Sequence, residues 1–127
     1  MALLLDTHIF YWAAKGSSRL TDVHRQLIQD RQSSVYVSAV TGWEIATKVK
    51  LGKWPEAAPS LPDLAGLVLR SGLQVLDITM TQAERAGSLE LVHRDPFDRM
   101  LAAQALDLDI AILTVDPAFA LFGCRVA

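Results

Sequence analysis

Short apolar segments alternate along this chain with segments that carry helix start and stop signals, and this alternation limits the fold more than any other feature. Strands are predicted at "ALLLD" (2–6), "SVYV" (34–37), "LQVLDI" (73–78) and "AILTV" (111–115), and a short edge strand at "CRV" (124–126). Strands that alternate with helices indicate an α/β fold whose central sheet is mainly parallel.

Capping residues predict where several of the helices begin and end. The segment "THIFYWAAKG" (7–16) ends in glycine, and Ser38 can cap the helix that follows it. Thr81 and Glu84 have the spacing of a capping box, which predicts a further helix after the third strand.

The composition predicts one globular domain over residues 1–127, since 51% of the residues are hydrophobic and 20% are charged. No apolar run is long enough to cross a bilayer and no signal-peptide core is present, so a cytoplasmic protein without a membrane partner is expected. The net charge of −2 argues against a general nucleic-acid binder. Any role on nucleic acid must therefore rest on a local basic patch or on bound metal cations.

Four acidic residues occupy positions where parallel strands end or helices begin. Asp6 ends the first predicted strand and Asp116 ends the fourth, so both are expected at the same edge of the sheet. Glu44 and Asp98 lie near helix starts, and Asp98 shares a helix face with small residues that can approach the sheet. The four carboxylates could converge on one small volume.

Each acid also has a purely structural explanation. Asp95 and Asp116 precede prolines and could act as helix N-caps, which is the best explanation for Asp95. Asp6 could also be a cap, and a carboxylate at Asp98 would suit the helix dipole. Glu44 could form a surface pair with Lys48 or a capping box with Thr41. Taken together, however, four converging negative charges would repel one another unless a cation neutralised them.

The donor set predicts which cation would bind. His8, His24 and His93 are scattered, and the single cysteine, Cys124, cannot form a zinc cluster. Carboxylate oxygens without such a cluster favour Mg²⁺ or Mn²⁺. A divalent ion held by carboxylates typically serves phosphate chemistry.

The segments "LLLDTHIFYWA", "SAVTGWEIATKVKLGK", "HRDPFDRMLAAQA" and "LTVD" have the order and approximate spacing found in PIN-domain proteins. More narrowly, the chain resembles the VapC-type ribonuclease toxins of prokaryotic toxin–antitoxin pairs, from residue 3 to about residue 117. The resemblance implies a three-layer fold with a parallel sheet flanked by helices. By this resemblance, the family's four metal-site acids correspond to Asp6, Glu44, Asp98 and Asp116. A hydroxyl residue often found beside them corresponds to Thr114. Asp95 corresponds to a recurrent position that the family does not chiefly use as a metal ligand. Thr7 is a further polar neighbour.

The resemblance further implies Mg²⁺-dependent hydrolysis of RNA phosphodiester bonds by metal-activated water, with Mn²⁺ as a substitute ion. The implied partners are an RNA substrate, a VapB-like antitoxin and a second copy of the chain. Two alternatives stay open: a PIN nuclease of RNA processing that is not a toxin, and a catalytically silent α/β binding module. A phosphate-loop enzyme is disfavoured because the chain has no G-x-x-x-x-G-K-[ST] motif.

Side chains around the acids suggest contacts with other molecules. Phe10, Tyr11 and Trp12 are consecutive and span about 200° of a helix, so one core-facing stripe cannot cover all three. Either a partner chain covers at least one of them, with Trp54 extending that surface, or they lie half-buried at the rim of the core. Several cations could steer phosphate or simply form a solvated face; they are Lys48, Lys50, Lys53, Arg94 and Arg99.

Overall fold

The structure is a computed structural model that describes residues 1–90 and 94–127. The described elements are, in chain order, β1 (Ala2–Leu5), α1 (Thr7–Lys15), α2 (Asp22–Gln29), β2 (Ser34–Ser38), α3 (Ala39–Lys50), a 3-10 helix (Pro55–Ser60), α4 (Leu64–Arg70), β3 (Gln74–Leu76), α5 (Met80–Ser88), α6 (Pro96–Leu108), β4 (Ala111–Leu113) and α7 (Ala118–Leu121). The predicted α/β class is confirmed.

The described strands form one parallel sheet in the order β3-β2-β1-β4. The chain builds outward from β1 through β2 to β3, then returns to place β4 on the other side of β1. The switch in strand order therefore lies between β1 and β4. In open parallel sheets, ligands bind beyond the carboxyl ends of the strands at such a switch point.

Alternate side chains of β1 pack against helices on opposite faces of the sheet. Leu3 and Leu5 belong to a core with α1, α3 and α4, and Leu4 belongs to a core with α6 and α7. All three leucines are completely buried. This alternation follows from the two-residue period of a strand and produces the three layers that the resemblance implied.

Several predicted boundaries differ from those of the structure. The third strand is only Gln74–Leu76, the fourth ends at Leu113, and the predicted edge strand at 124–126 contributes a single bridge between Ile112 and Val126. None of the helices in residues 1–90 and 94–127 combines the length and apolarity of a membrane span.

The predicted capping box of α5 lies two residues too far along the chain. The box is formed by Thr79 and Gln82, whose side chains each accept a hydrogen bond from the other's backbone N–H. Gln82 is buried, and it also bonds Asp107 at 3.1 Å and Gln104 at 3.0 Å. The sequence contains two overlapping capping patterns, Thr79 with Gln82 and Thr81 with Glu84, and these contacts with α6 favour the first.

Candidate active site

One cavity of about 500 Å³ opens at the carboxyl edge of the sheet, beside the switch point between β1 and β4. All four acids predicted from the sequence line it, together with Asp95 and Thr7. The other lining residues are His8, Trp12, Arg19, Lys48 and Val115. The fold therefore brings together side chains that lie up to 110 positions apart in the sequence.

Asp6 directly follows β1 and is the N-cap of α1. Its carboxylate accepts a hydrogen bond from the backbone N–H of Ile9 at 2.9 Å and another from the hydroxyl of Thr114. Its own backbone N–H donates to the carbonyl of Leu113 at 3.0 Å, which extends the pairing of β1 with β4. This contact with Asp6 confirms that Thr114 lies beside an acid of the site, as the resemblance implied.

Burial raises the pKa of Asp6 above its ordinary value of 3.8, because a charged carboxylate loses solvation there. The hydrogen bonds from Thr114 and Ile9 and the electrostatic interaction with His8 lower the pKa of Asp6, whereas the nearby charge of Glu44 raises it. A group with a raised folded-state pKa contributes stability that is present below its unfolded pKa and is lost as pH rises through the folded value. A cation beside Asp6 would offset this cost, because it favours the charged form of the carboxylate.

Glu44 lies in α3, is only 3% exposed and forms a buried polar cluster. Its Oε1 accepts a hydrogen bond from the Thr7 hydroxyl at 2.5 Å, and its Oε2 forms an ion pair with Lys48. Thr7 is in turn 3.2 Å from the hydroxyl of Thr41. The predicted ion pair between Glu44 and Lys48 is therefore present, although the Glu44 carboxylate is buried and not at the surface. The predicted capping box of Thr41 with Glu44 is wrong, because Ser38 is the N-cap of α3.

Asp95 and Asp98 occupy separate positions at the start of α6, as their spacing predicts. Asp95 is the N-cap of α6, and its carboxylate accepts from the N–H groups of Phe97 at 2.8 Å and Asp98 at 3.4 Å. Asp98 is half-buried in the first turn of α6, on the face of the completely buried Ala102. A carboxylate there is favoured by the helix dipole and also faces the cavity.

Asp116 lies three residues beyond β4, because Thr114 and Val115 continue the chain after the strand ends at Leu113. Its backbone N–H donates to the Thr114 hydroxyl at 2.9 Å, and its Oδ1 accepts from the N–H of Ala118 at 2.9 Å. The N-cap of α7 is nevertheless Pro117, so the prediction of Asp116 as the N-cap is wrong by one residue. The Asp116 carboxylate also lines the cavity.

The acids surround a common space without forming a closed cluster. Among residues 1–90 and 94–127, no three carboxylate, imidazole or thiol groups lie close enough together to form a ready-made ion site. Both carboxylate oxygens of Glu44 are engaged, one by Thr7 and the other by Lys48. The donor set itself consists of hard carboxylate oxygens, which suit Mg²⁺ or Mn²⁺.

Some cations and histidines near the cavity differ from the sequence-based expectation. Arg19 and His8 line the cavity, although the sequence analysis assigned neither of them to the site. Arg99, predicted as a cation that could steer phosphate, is buried and donates to the backbone carbonyls of Gly87 and Leu89. The Nε2 of His24 is 2.8 Å from the Ala127 carbonyl, and His93 lies outside the described residues.

The fold and the cavity define a three-layer α/β protein with acids gathered at the carboxyl edge of its sheet. The family model described as the PIN domain matches residues 3–123, and the chain belongs to the PIN-domain family.

A curated relative and two solved structures are similar to the chain. It is 35% identical over 54 residues to ribonuclease VapC16 of Mycobacterium tuberculosis, and the match spans 42% of the chain and 38% of that relative. The VapBC2 structure from Rickettsia felis, bound to a promoter DNA fragment, gives a TM-score of 0.69 at 18% identity, covering 99% of this chain and 96% of that one. M. tuberculosis VapC20, described as a toxin that cleaves the sarcin–ricin loop, gives 0.67 at 18% identity, covering 98% of each chain. At these identities, the two structures support the fold alone.

Proposed function

We propose that this protein is a divalent-metal-dependent endoribonuclease and the toxin of a VapBC-type toxin–antitoxin module. The observation that carries the proposal is the single cavity lined by Asp6, Glu44, Asp98 and Asp116 in a chain of the PIN-domain family. The similarity to ribonuclease VapC16 supports RNA as the substrate. No basic surface is required for this chemistry, because the metal supplies the positive charge that a protein of net charge −2 lacks.

The chain's own residues have distinct tasks in this proposal. Asp6, Asp98 and Asp116 hold the cation, and the hydroxyl of Thr114 fixes the orientation of Asp6. Glu44 either completes the cation site or accepts a proton from the attacking water. When bound, Mg²⁺ or Mn²⁺ would activate water and offset charge on the phosphoryl oxygens of the RNA.

The direct test of this function is an RNA cleavage assay with the purified protein. With Mg²⁺ we expect the protein to cut RNA at a restricted set of sites. Its electrostatic attraction to RNA in general is weak, so the choice of cleavage site depends on local contacts with the RNA. Sequencing the ends of the cleaved transfer, ribosomal and messenger RNAs identifies these sites. Chelation with EDTA should stop cleavage and added Mg²⁺ should restore it. RNA that stays intact with both Mg²⁺ and Mn²⁺ would contradict the proposal.

Lys48 is expected to compete with the cation for Glu44. Replacing it in Lys48→Gln removes a positive charge beside the site, so the affinity for Mn²⁺ should rise about two- to tenfold. Isothermal titration calorimetry measures this change. Lys50→Gln is the matched control, because Lys50 is exposed on the same helix and does not line the cavity. Equal affinities in the wild type and Lys48→Gln would exclude Glu44 from the ion site.

Two protein partners belong to the proposed cytoplasmic function: a VapB-like antitoxin that suppresses cleavage and a second copy of the chain. Solved neighbours with the same fold are VapBC and FitAB complexes, which supports the antitoxin. Exposed apolar side chains near the edge strand β3, namely Val75, Ile78 and the 84% exposed Met80, support association with another chain. Sedimentation at micromolar concentration tests the dimer, and co-expression with the neighbouring small open reading frame tests the antitoxin.

A further inference from the structure

A second cavity of about 390 Å³ adjoins the acidic one and is lined largely by aromatic rings and cations. Its walls include Tyr11, Trp12 and Trp54, with Lys15 and Arg19 on its rim. His8, Trp12 and Arg19 line both cavities, so the two cavities adjoin each other. The size is within the range of pockets that hold small ligands.

The aromatic rings of this second cavity contact one another around one stacked pair, His8 and Trp54. His8 lies parallel to Trp54, with ring centroids 4.9 Å apart at an interplanar angle of 22°. Trp12 packs on His8 at 5.9 Å, and Tyr11 packs on Trp54 at 4.9 Å. The Tyr11 hydroxyl donates to the carbonyl of Glu56 at 3.0 Å. These contacts fix the rings before any ligand arrives, which lowers the entropic cost of binding one.

The rings are anchored in the protein rather than projecting from it. Phe10 is completely buried, and Tyr11, Trp12 and Trp54 are partly buried against the core, which agrees with the second of the two interpretations of these aromatics. His8 is exposed although it belongs to the ring stack. A flat aromatic ligand can therefore extend the stack at the mouth of the acidic cavity.

Charges on the rim favour an anionic group beside the rings. Within residues 1–90 and 94–127, neither Lys15 nor Arg19 takes part in an ion pair. The Lys15 ammonium is 5.9 Å from the centre of the Tyr11 ring. Glu56 also lines the cavity and would repel an anion, so the anion is expected on the side of Arg19, which lines both cavities. A cation held by the acids would offset their negative charge on that side.

We propose that His8, Trp12 and Trp54, with Arg19, form a subsite that stacks one unpaired RNA base and binds its phosphate next to the acidic cavity. The subsite rests on the proposed function for its substrate class. Base stacking on aromatic side chains contributes to affinity without requiring a basic surface. It therefore supplies affinity that a protein of net charge −2 cannot obtain from bulk attraction. The requirement for an unpaired base directs the acids to RNA loops and single strands.

Equilibrium binding of an eight-nucleotide single-stranded RNA tests the subsite without any cleavage. Binding is followed by fluorescence anisotropy of the labelled RNA and by quenching of tryptophan emission, in EDTA and again in Ca²⁺. We expect quenching by the single strand but not by the same sequence in a duplex. His8→Ala and Trp54→Leu should each raise the dissociation constant about 5- to 100-fold. Arg19→Gln should weaken binding and lower its dependence on salt concentration.

The matched control is Trp43→Leu, since Trp43 is exposed on α3 and lines neither cavity. It should leave the dissociation constant within about twofold of the wild-type value. The proposal is overturned if RNA quenches no emission under either condition, or if His8→Ala and Trp54→Leu bind RNA like the wild type. It is also overturned if these variants bind RNA normally but escape suppression by the antitoxin, which would assign the rings to a protein partner.

Failure of the subsite can be distinguished from failure of the proposed function. If the protein cleaves RNA in a metal-dependent way but His8→Ala and Trp54→Leu bind RNA with unchanged affinity, the nuclease function is supported and the subsite is contradicted. Ring-dependent RNA binding without cleavage in Mg²⁺ or Mn²⁺ would support the subsite and contradict the nuclease. Circular dichroism of each variant establishes that it is folded before its affinity is compared.

Discussion

An Asp98→Asn protein is expected to cleave RNA at least about 100-fold more slowly than the wild type, since even changes that only disturb the orientation of metal ligands cost about 10- to 100-fold. Asparagine keeps the size of the side chain but removes the negative charge that faces the cavity. Initial cleavage rates at saturating Mg²⁺ measure the effect. The variant should stay folded. It loses a favourable interaction with the helix dipole and also relieves repulsion among the acids, and these two effects on the free energy of unfolding are small and opposite in sign.

Asp109→Asn is the matched control at the other end of the same helix. Asp109 is exposed, ends α6 in a left-handed conformation with φ of 51°, and pairs with Arg125 at the surface. Asparagine adopts that conformation readily, so activity within about twofold of the wild type is expected. A purified Asp98→Asn protein with full metal-dependent activity would show that Asp98 does not hold the cation.

A Leu101→Ala protein is expected to lose about 2–5 kcal/mol of unfolding free energy, the usual cost of a cavity at a fully buried leucine. Leu101 is completely buried in the core between α6 and the sheet, one turn beyond Asp98. A loss of this size is a large part of the total stability of a typical domain. Urea denaturation followed by circular dichroism measures it.

Leu108→Ala is the control for this core substitution, because Leu108 lies on the same helix and is 42% exposed. Its unfolding free energy should change by less than about 1 kcal/mol. Equal losses in the two variants would mean that α6 does not pack its inner face as described. The comparison also separates stability from chemistry, since neither leucine lines the acidic cavity.

Local patterns in the sequence predict where the buried strands lie and which acids follow strands or begin helices. Buried strands such as β1 are short apolar segments, and Asp6 marks where that strand ends. Asp95 is predicted as an N-cap from the proline that follows it, and the structure shows that contact. The position of Asp98 on a face of small buried residues is likewise readable from helical spacing.

Features that depend on tertiary contacts are not readable in the same way. The capping box at Thr79 is selected by the contacts of Gln82 with α6, which neither capping pattern encodes. Arg19 follows α1 in a loop, and only the folded chain brings it to the acids. His8 gains its significance from Trp54, which lies 46 residues away in the sequence.

The most direct test of the central claim, one divalent-cation site formed by the four acids, is a Mn²⁺ titration of protein stability. The unfolding free energy of the wild type should rise with Mn²⁺, by about 2.7 kcal/mol at 100 times the dissociation constant. Asp98→Asn should lose most of this gain, and Asp109→Asn should keep it. A wild-type protein whose stability is the same in Mn²⁺ and in EDTA, or an equal gain in Asp98→Asn, would contradict the claim.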